Sequence, residues 1–170
     1  MGINIEEEES EKLPCRFVVV DVDGNTYVDY SMALGTCILG YCDSDVNKAV
    51  RKQLEKGTMF TLPHPLETEA AEIIVDSVPC AEMVRFGKNG SDATAAAIKA
   101  ARAYTGKEKI ITCGYHGWHD WYVAITERDK GVPRAMKDLI LPMRYNNIDS
   151  LKKIISEHGD EIAGLIMEPI

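Results

Sequence analysis

The sequence lacks the features of several common protein classes. No apolar run approaches the length needed to span a membrane, and the first residues lack the basic-then-apolar order of a secretory signal. Basic residues are also scarce, because 19 lysines and arginines face 27 aspartates and glutamates, for a net charge of −8. Such an acidic chain is poorly suited to nucleic acid or to an anionic membrane surface. We therefore expect neither of these partners.

Motifs for metals, redox chemistry and nucleotides are missing as well. The five cysteines are scattered, and no two form a Cys-x-x-Cys pair, so the sequence gives no support for a zinc or thiol–disulfide site. This cysteine usage predicts a reducing, cytoplasmic compartment. The chain contains neither Gly-x-x-x-x-Gly-Lys-Ser/Thr nor Gly-x-Gly-x-x-Gly, so a phosphate group bound here would belong to something other than a nucleotide.

The N-terminal part of the chain predicts a tail, a hairpin and two helices. The whole chain of 170 residues is 45% hydrophobic and 27% charged, which is typical of a globular domain. Residues 1–12 carry a run of glutamates and predict a solvated tail. A β-hairpin is expected over 17–30, followed by helices over 45–56 and from Leu66 to just before Pro79. Gly24 is fourth rather than sixth in the acidic turn of the hairpin, which argues against an EF-hand.

From residue 83 onward, short apolar strands alternate with helices. Strands are predicted at 83–86, 110–111, 139–141 and 162–167. This rhythm predicts an α/β fold with a mainly parallel sheet covered on both faces. Ligands bind such sheets at the carboxyl ends of the strands. The turns after residues 86, 112 and 167 therefore form the predicted functional edge.

The segment from Arg85 to Thr94 predicts a strand, a glycine-rich turn and a helix. Ser91 is the expected N-cap, and Asp92 is an acidic residue of the first turn. The N-terminus of a helix offers unpaired N–H groups and the positive end of the helix dipole, which together suit a phosphate. The same residues also fit an ordinary strand-to-helix turn with a serine cap.

The segment from Gly114 to Trp121 should lie at the same edge of the sheet, and it is rich in aromatic and imidazole rings. One interpretation is a stacking surface for a planar ligand, with Tyr115 as its main ring. A zinc site at His116 and His119 is disfavoured because cysteine or glutamate partners at suitable spacing are missing. The alternative is that Trp118 and Trp121 are core residues. We favour the core for Trp121 and stacking for Tyr115. A phosphate site beside a stacking surface suggests a flat phosphorylated cofactor, and pyridoxal phosphate fits this description.

The span from Val20 to Ile170 resembles the class III pyridoxal-phosphate aminotransferases, most closely the glutamate-1-semialdehyde aminomutase-like branch. The resemblance rests on the segments 21–30, 65–67, 82–86, 89–94, 101–106, 115–117 and 168–169. It implies an incomplete fold-type I transferase. Residues 1–60 would form an N-terminal segment, and residues 61–170 would form the first part of the large cofactor-binding α/β domain.

The resemblance also implies roles for single residues. Gly90 and Ser91 would hold the cofactor phosphate, Tyr115 would stack on the pyridine ring, and His116 would help to shape the stacking surface. The role of Glu168 beside the site is left open. The cofactor-binding set implied in this way is Asn89, Gly90, Ser91, Tyr115, His116 and Glu168.

The chain departs from the family pattern at both ends. The family's Schiff-base lysine, and the aspartate that pairs with the ring nitrogen, lie beyond the Glu168-Pro169 motif, so no catalytic residue is assigned within this chain. The acidic tail replaces the segment where aminomutase relatives carry a substrate-binding arginine, and Arg16 is no evident substitute. We expect the N-terminal portion of a longer, dimeric aminotransferase or 1,2-aminomutase acting on a small amino donor and carbonyl acceptor, or one product of a split gene. The alternative is a non-catalytic assembly partner that supplies only the phosphate-binding and stacking residues.

Overall fold

The computed structural model describes residues 17–169. The predicted acidic tail, Arg16 and Ile170 lie outside this range. The chain divides into two compact units, the first ending at Glu69 and the second beginning at Ala70. The domain boundary expected after residue 60 stays a prediction. Between residues 17 and 169, no helix is both long and apolar enough to cross a membrane.

The first unit begins with the predicted hairpin. Strands β1 (Val18–Val20) and β2 (Thr26–Val28) pair antiparallel. The carboxylate of Asp21 organises the turn between them, because its Oδ1 accepts hydrogen bonds from the N–H groups of Asp23 and Asn25, at 3.0 and 2.9 Å. Hydrogen bonds from Asn25 also lower the pKa of Asp21. The carboxylate of Asp21 therefore stabilises the turn itself.

Two helices follow, close to the predicted positions. Helix α1 (Ser44–Leu54) is capped by Asp43, whose side chain accepts from the N–H groups of Asp45 and Val46, and α2 spans Pro65–Ser77. The helical spacing of Val46, Val50 and Leu54 predicts that they form the inner side of α1, and this prediction is wrong, since they are 46, 51 and 59% exposed. Helical periodicity identifies an apolar stripe but does not ensure that something covers it.

The second unit contains the predicted parallel sheet. Its elements, in chain order, are α3 (Gly90–Thr105), β3 (Lys109–Cys113), α4 (Asp120–Val123), α5 (Arg134–Lys137), β4 (Ile140–Pro142), α6 (Ile148–His158), a 3-10 turn (Gly159–Glu161) and β5 (Ile162–Met167). The strand order is β4-β3-β5, with both pairings parallel. Ile98, Ile110, Trp121, Ile140 and Ala163 form its buried core.

Two expectations for this unit are corrected. Residues 83–86 form no strand, and Met83 and Phe86 are 89 and 45% exposed. An apolar segment becomes a strand only where a neighbouring strand completes its hydrogen bonds, and in the described part of the chain residues 83–86 pair with none of β3, β4 and β5. The predicted cover on both faces of the sheet is also incomplete at the end of β5, where Leu165 and Met167 are each 43% exposed.

Candidate functional site

The start of α3 meets the loop that follows β3. Gly117 has a φ of +105° and lies so close to α3 that an added Cβ would overlap Ser91 Oγ. The Trp118 N–H donates to Ser91 Oγ at 3.2 Å, and Thr94 Oγ1 donates to the His116 carbonyl at 2.9 Å. Only glycine allows this backbone conformation and this approach together. The structure thus brings together the glycine-rich turn and the ring-rich loop.

Asn89, rather than the predicted Ser91, is the N-cap of α3. Its backbone is extended, at φ −154° and ψ 175°, and its side chain accepts from the Asp92 N–H at 3.0 Å. Ser91 is therefore already in the first helical turn, where it is 8% exposed. Asparagine and serine cap helices about equally well, so the choice between them depends on where the extended backbone ends.

The first N–H groups of α3 are available to a ligand. The N–H groups of Asp92 and Ala93 are bonded to the side chain and carbonyl of Asn89. No acceptor within residues 17–169 bonds the N–H groups of Gly90 and Ser91. The oxygen of the Ser91 hydroxyl accepts from Trp118, and its proton remains able to donate. Two N–H groups and one O–H group at a helix N-terminus are a suitable donor set for a phosphate.

A cleft of about 520 Å³ joins these donors to the ring-rich loop. It is lined by Asn89, Gly90, Ser91, Thr94, Tyr115, His116, Gly117 and Trp118. Five of the six expected cofactor-binding residues are in this set. An added Cβ on Gly90 would meet no atom within 4 Å, and Tyr115 is 62% exposed. The cleft therefore has open space, hydrogen-bond donors and an accessible aromatic ring, and these residues fit a planar phosphorylated group.

His116 supports this surface from behind. The side chain is 6% exposed, and its Nε2 lies 2.9 Å from the Cys113 carbonyl. A carbonyl only accepts, so this nitrogen carries the proton. The described residues contain no group of His, Cys, Asp and Glu able to hold a metal ion, and the zinc alternative gains no support.

The two tryptophans differ in their environment. Trp121 is 6% exposed and belongs to the core, as expected. Trp118 is 70% exposed and lines the cleft, so the alternative that placed it in the core is wrong. Its backbone N–H donates a hydrogen bond to Ser91 Oγ, and this bond places its ring at the cleft.

Glu168 lies next to the site but does not line the cleft. Its N–H donates to the Cys113 carbonyl at 3.0 Å. Its side chain packs on Gly114, where an added Cβ would be 2.5 Å from Glu168 Oε2. The end of β5 thus supports the beginning of the loop that carries Tyr115.

Sequence reasoning missed Tyr122. Its hydroxyl donates to the Gly114 carbonyl at 2.8 Å, and its ring meets the ring of Tyr115 edge-on, with centroids 5.7 Å apart. Burial raises the pKa of Tyr122, and the charge of Glu168 raises it further. The only sequence signal was that Tyr122 directly follows the ring-rich segment, because its contacts depend on how α4 folds back.

Comparisons with known proteins agree on one family. The family model for class-III aminotransferases matches residues 15–170. The chain is 43% identical to the 3-aminobutyryl-CoA aminotransferase of Cloacimonas acidaminovorans, covering 89% of this chain and 36% of that protein. It is 40% identical to the glutamate-1-semialdehyde 2,1-aminomutase 2 of Exiguobacterium sp., covering 89% of this chain and 37% of that protein.

Solved structures give the same result. An omega-transaminase from Sphaerobacter thermophilus superposes with a TM-score of 0.81 at 33% identity, over 91% of this chain and 39% of that one. A transaminase with pyridoxal phosphate bound superposes with a TM-score of 0.83 at 28% identity, again over 91% and 39%. The chain thus spans less than two fifths of the length of these relatives. Its α/β architecture is that of an incomplete fold-type I transferase, and the chain belongs to the class-III aminotransferase family.

Proposed function

We propose that this chain forms the phosphate- and ring-binding part of a pyridoxal-phosphate site. The observation that carries the proposal is the single cleft in which the unbonded N–H groups of Gly90 and Ser91 lie near the exposed ring of Tyr115. Family membership and the cofactor in a solved relative support the choice of ligand.

Each of these residues has a defined task in the proposal. The backbone N–H groups of Gly90 and Ser91 and the Ser91 hydroxyl bind the phosphate with charge-assisted hydrogen bonds. Tyr115 stacks on the ring, and His116 fixes the backbone beneath it through the Cys113 carbonyl. The bound cofactor supplies the electron sink needed to labilise bonds at the carbon that bears the amino group.

The reaction proposed for the whole protein is the movement of an amino group. It would run between an amino donor and a carbonyl acceptor, or within one molecule as a 1,2 shift. Relatives of both kinds support the two variants, since one is named as an aminotransferase and the other as an aminomutase. The lysine that carries the cofactor would come from the part of the family fold that this chain does not span. The 170-residue chain alone is therefore expected not to turn over amino donors.

The setting of the full-length enzyme is proposed as well. We infer a homodimer, as the family resemblance implies, and a cytoplasmic location. The four described cysteines, Cys37, Cys42, Cys80 and Cys113, are free thiols, which suits a reducing compartment.

A ligand without an aldehyde separates cofactor binding from chemistry. Pyridoxine 5′-phosphate carries the ring and the phosphate but cannot react with lysines. Calorimetric titration of the chain should give saturable binding that is tighter than binding of inorganic phosphate or of pyridoxine. Gly90→Val should abolish it, because the new side chain would occupy the open space beside the phosphate donors. Equal affinity of Gly90→Val and the wild type would contradict the proposal.

The second candidate is an assembly partner that lends these residues to another polypeptide. The specific observation in its favour is the outer side of β5, which pairs with no strand within residues 17–169. Co-expression with a polypeptide that spans the remaining part of a relative's fold tests it. A stable complex that binds pyridoxal phosphate and carries out amino transfer would support this role, and failure of the two chains to co-purify would oppose it.

A further inference from the structure

One side chain contacts three consecutive residues of the loop that carries Tyr115. The Tyr122 hydroxyl donates to the Gly114 carbonyl at 2.8 Å. Its ring meets Tyr115 edge-on, at 5.7 Å and 86°, and meets His116 edge-on, at 5.5 Å and 84°. Tyr122 therefore touches the start of the loop, the stacking ring and the residue behind it.

The backbone from which Tyr115 departs is held from two sides. Gly114 has a φ of +90°, and an added Cβ would be 2.5 Å from Glu168 Oε2. Glu168 packs on one side of Gly114, and the hydroxyl of Tyr122 holds its carbonyl. A tyrosine hydroxyl is protonated at neutral pH and can donate, and burial, followed by the charge of Glu168, raises the pKa of Tyr122 further.

The orientation of Tyr115 depends on Tyr122 more than that of His116 does. Tyr115 is 62% exposed, and Tyr122 is the one ring in the described part of the chain that contacts it. His116 is buried and has its own hydrogen bond to the Cys113 carbonyl. Edge-to-face contacts between aromatic rings favour particular ring orientations, so Tyr122 restricts the plane of Tyr115.

We propose that Tyr122 is a positioning residue that sets the plane of Tyr115 for the cofactor ring. The inference rests on the proposed function, because it assumes that Tyr115 stacks on that ring. Tyr122 does not line the 520 Å³ cleft, but with Tyr115, Gly117 and Trp118 it lines an adjoining cavity of about 370 Å³. Its effect on a ligand in the cleft is therefore assigned to its contact with Tyr115.

A merely structural role has a different signature. Tyr122 also contacts the core residue Trp121, with ring centroids 5.8 Å apart. If its substitution destabilised the fold in general, the binding of every ligand would become weaker. The proposed phosphate donors lie on α3, and in the described part of the chain no hydrogen bond or ring contact joins them to Tyr122. A positioning role therefore changes the preference for a ring-bearing ligand over phosphate, whereas loss of structure weakens both together.

The test compares dissociation constants of pyridoxine 5′-phosphate and inorganic phosphate for four proteins. These are the wild type, Tyr122→Phe, Tyr122→Leu and the control Tyr104→Leu, whose tyrosine is 93% exposed on α3. Tyr122→Leu should lower the preference for the ring by roughly two- to tenfold, the range of one oriented aromatic contact, with phosphate affinity unchanged. Tyr122→Phe keeps the ring contact and loses only the hydrogen bond of the hydroxyl, so its preference for the ring-bearing ligand should lie between those of Tyr122→Leu and the wild type. Tyr104→Leu should match the wild type.

Three outcomes would overturn the inference. An unchanged ring preference in Tyr122→Leu would exclude positioning and leave the proposed function intact. If Tyr122→Leu and Tyr122→Phe each lost affinity for pyridoxine 5′-phosphate and for inorganic phosphate by the same factor, Tyr122 would have a structural role only. A wild-type protein that binds pyridoxine 5′-phosphate no better than phosphate would reject the stacking role of Tyr115, and with it both proposals.

Discussion

Ser91 links the loop that carries Tyr115 to helix α3, and the proton of its hydroxyl is available to donate a hydrogen bond to a ligand. The oxygen accepts from the Trp118 N–H, while the proposed ligand would accept from the O–H. Ser91→Ala should weaken binding of pyridoxine 5′-phosphate by about 1.5–3 kcal/mol, the range for a hydrogen bond to a charged group. Calorimetry measures this loss.

Ser156→Ala provides the control for this substitution. Ser156 lies on α6 and donates its hydroxyl to the Lys153 carbonyl, far from the cleft in sequence and without a place in its lining. Its affinity for the ligand should match the wild type. A Ser91→Ala protein that binds equally well would remove Ser91 from the phosphate site.

Tyr115 should act through its ring and not through its hydroxyl. Tyr115→Phe should keep the affinity for pyridoxine 5′-phosphate, because the face that stacks is retained. Tyr115→Ala should lose about 0.5–1.5 kcal/mol beyond the area effect. Titration of both variants, followed by the fluorescence of the neighbouring Trp118, provides the comparison. If Phe harmed binding as much as Ala, stacking would be the wrong explanation.

Among single residues, the sequence predicted the residues that line the cleft better than the residues that support them. Gly90 and Tyr115 belong to contiguous motifs, and both line the cleft. Asn89 as the cap and Tyr122 behind Tyr115 depend on where the backbone turns and how a four-residue helix folds back. Such contacts are tertiary, and local propensity does not encode them.

Helices and strands were predictable where the local sequence pattern alone determines the type and the ends of the element. The alanine-rich α3 and the apolar β3 and β5 lie where expected, because periodicity and glycine or asparagine boundaries are local signals. The segment 83–86 and the apolar side of α1 were misassigned, because strand pairing and burial depend on neighbours elsewhere in the fold.

The start of β3 and the turn before β5 are joined by a charged contact. Lys109 Nζ lies 2.9 Å from Glu161 Oε1, and His158 Nδ1 lies 3.1 Å from the same oxygen. The hydrogen bond from Lys109, and then that from His158, lower the pKa of Glu161 below its ordinary value of 4.5. A depressed folded-state pKa stabilises the fold above pH 4.5, and this stabilisation is lost as the pH falls through the folded-state value.

Glu161→Gln should therefore be less stable than the wild type at pH 6, and the difference should shrink below about pH 4.5. Urea midpoints measured across this range test the expectation. Glu157→Gln is a suitable control, because Glu157 forms an exposed pair with Lys153 on the same helix, and such a pair contributes little to stability. A Glu161→Gln deficit that stays constant down to pH 3 would contradict the linkage.

In the whole molecule, the sheet of the second unit has an accessible edge. Within residues 17–169, β5 pairs with β3 on one side only, and Leu165 and Met167 are each 43% exposed. Unpaired apolar edge strands favour association, and a charged side chain opposes it. The chain should self-associate in sedimentation experiments at micromolar concentration, and Leu165→Lys should shift it toward the monomer.

Ile38→Lys adds the same charge at a side chain of the first unit that is 77% exposed. It should leave the sedimentation behaviour unchanged. Equal dispersal by both substitutions would point to net charge as the cause and would remove β5 from the association.

The central position of β3 has a consequence for the order in which the protein folds. Ile110 pairs with Ile140 and with Gly164, so both partner strands are synthesised well after β3, and closing the intervening loops costs entropy. The loop that carries Tyr115 rests on Glu168, directly after the last strand, so it should become ordered last. In pulse-labelling hydrogen exchange, amides of α3 should gain protection first, and those of Ile111 and Cys113 only together with those of β5. Early protection of β3 without β5 would show that the sheet begins to form from β4 alone.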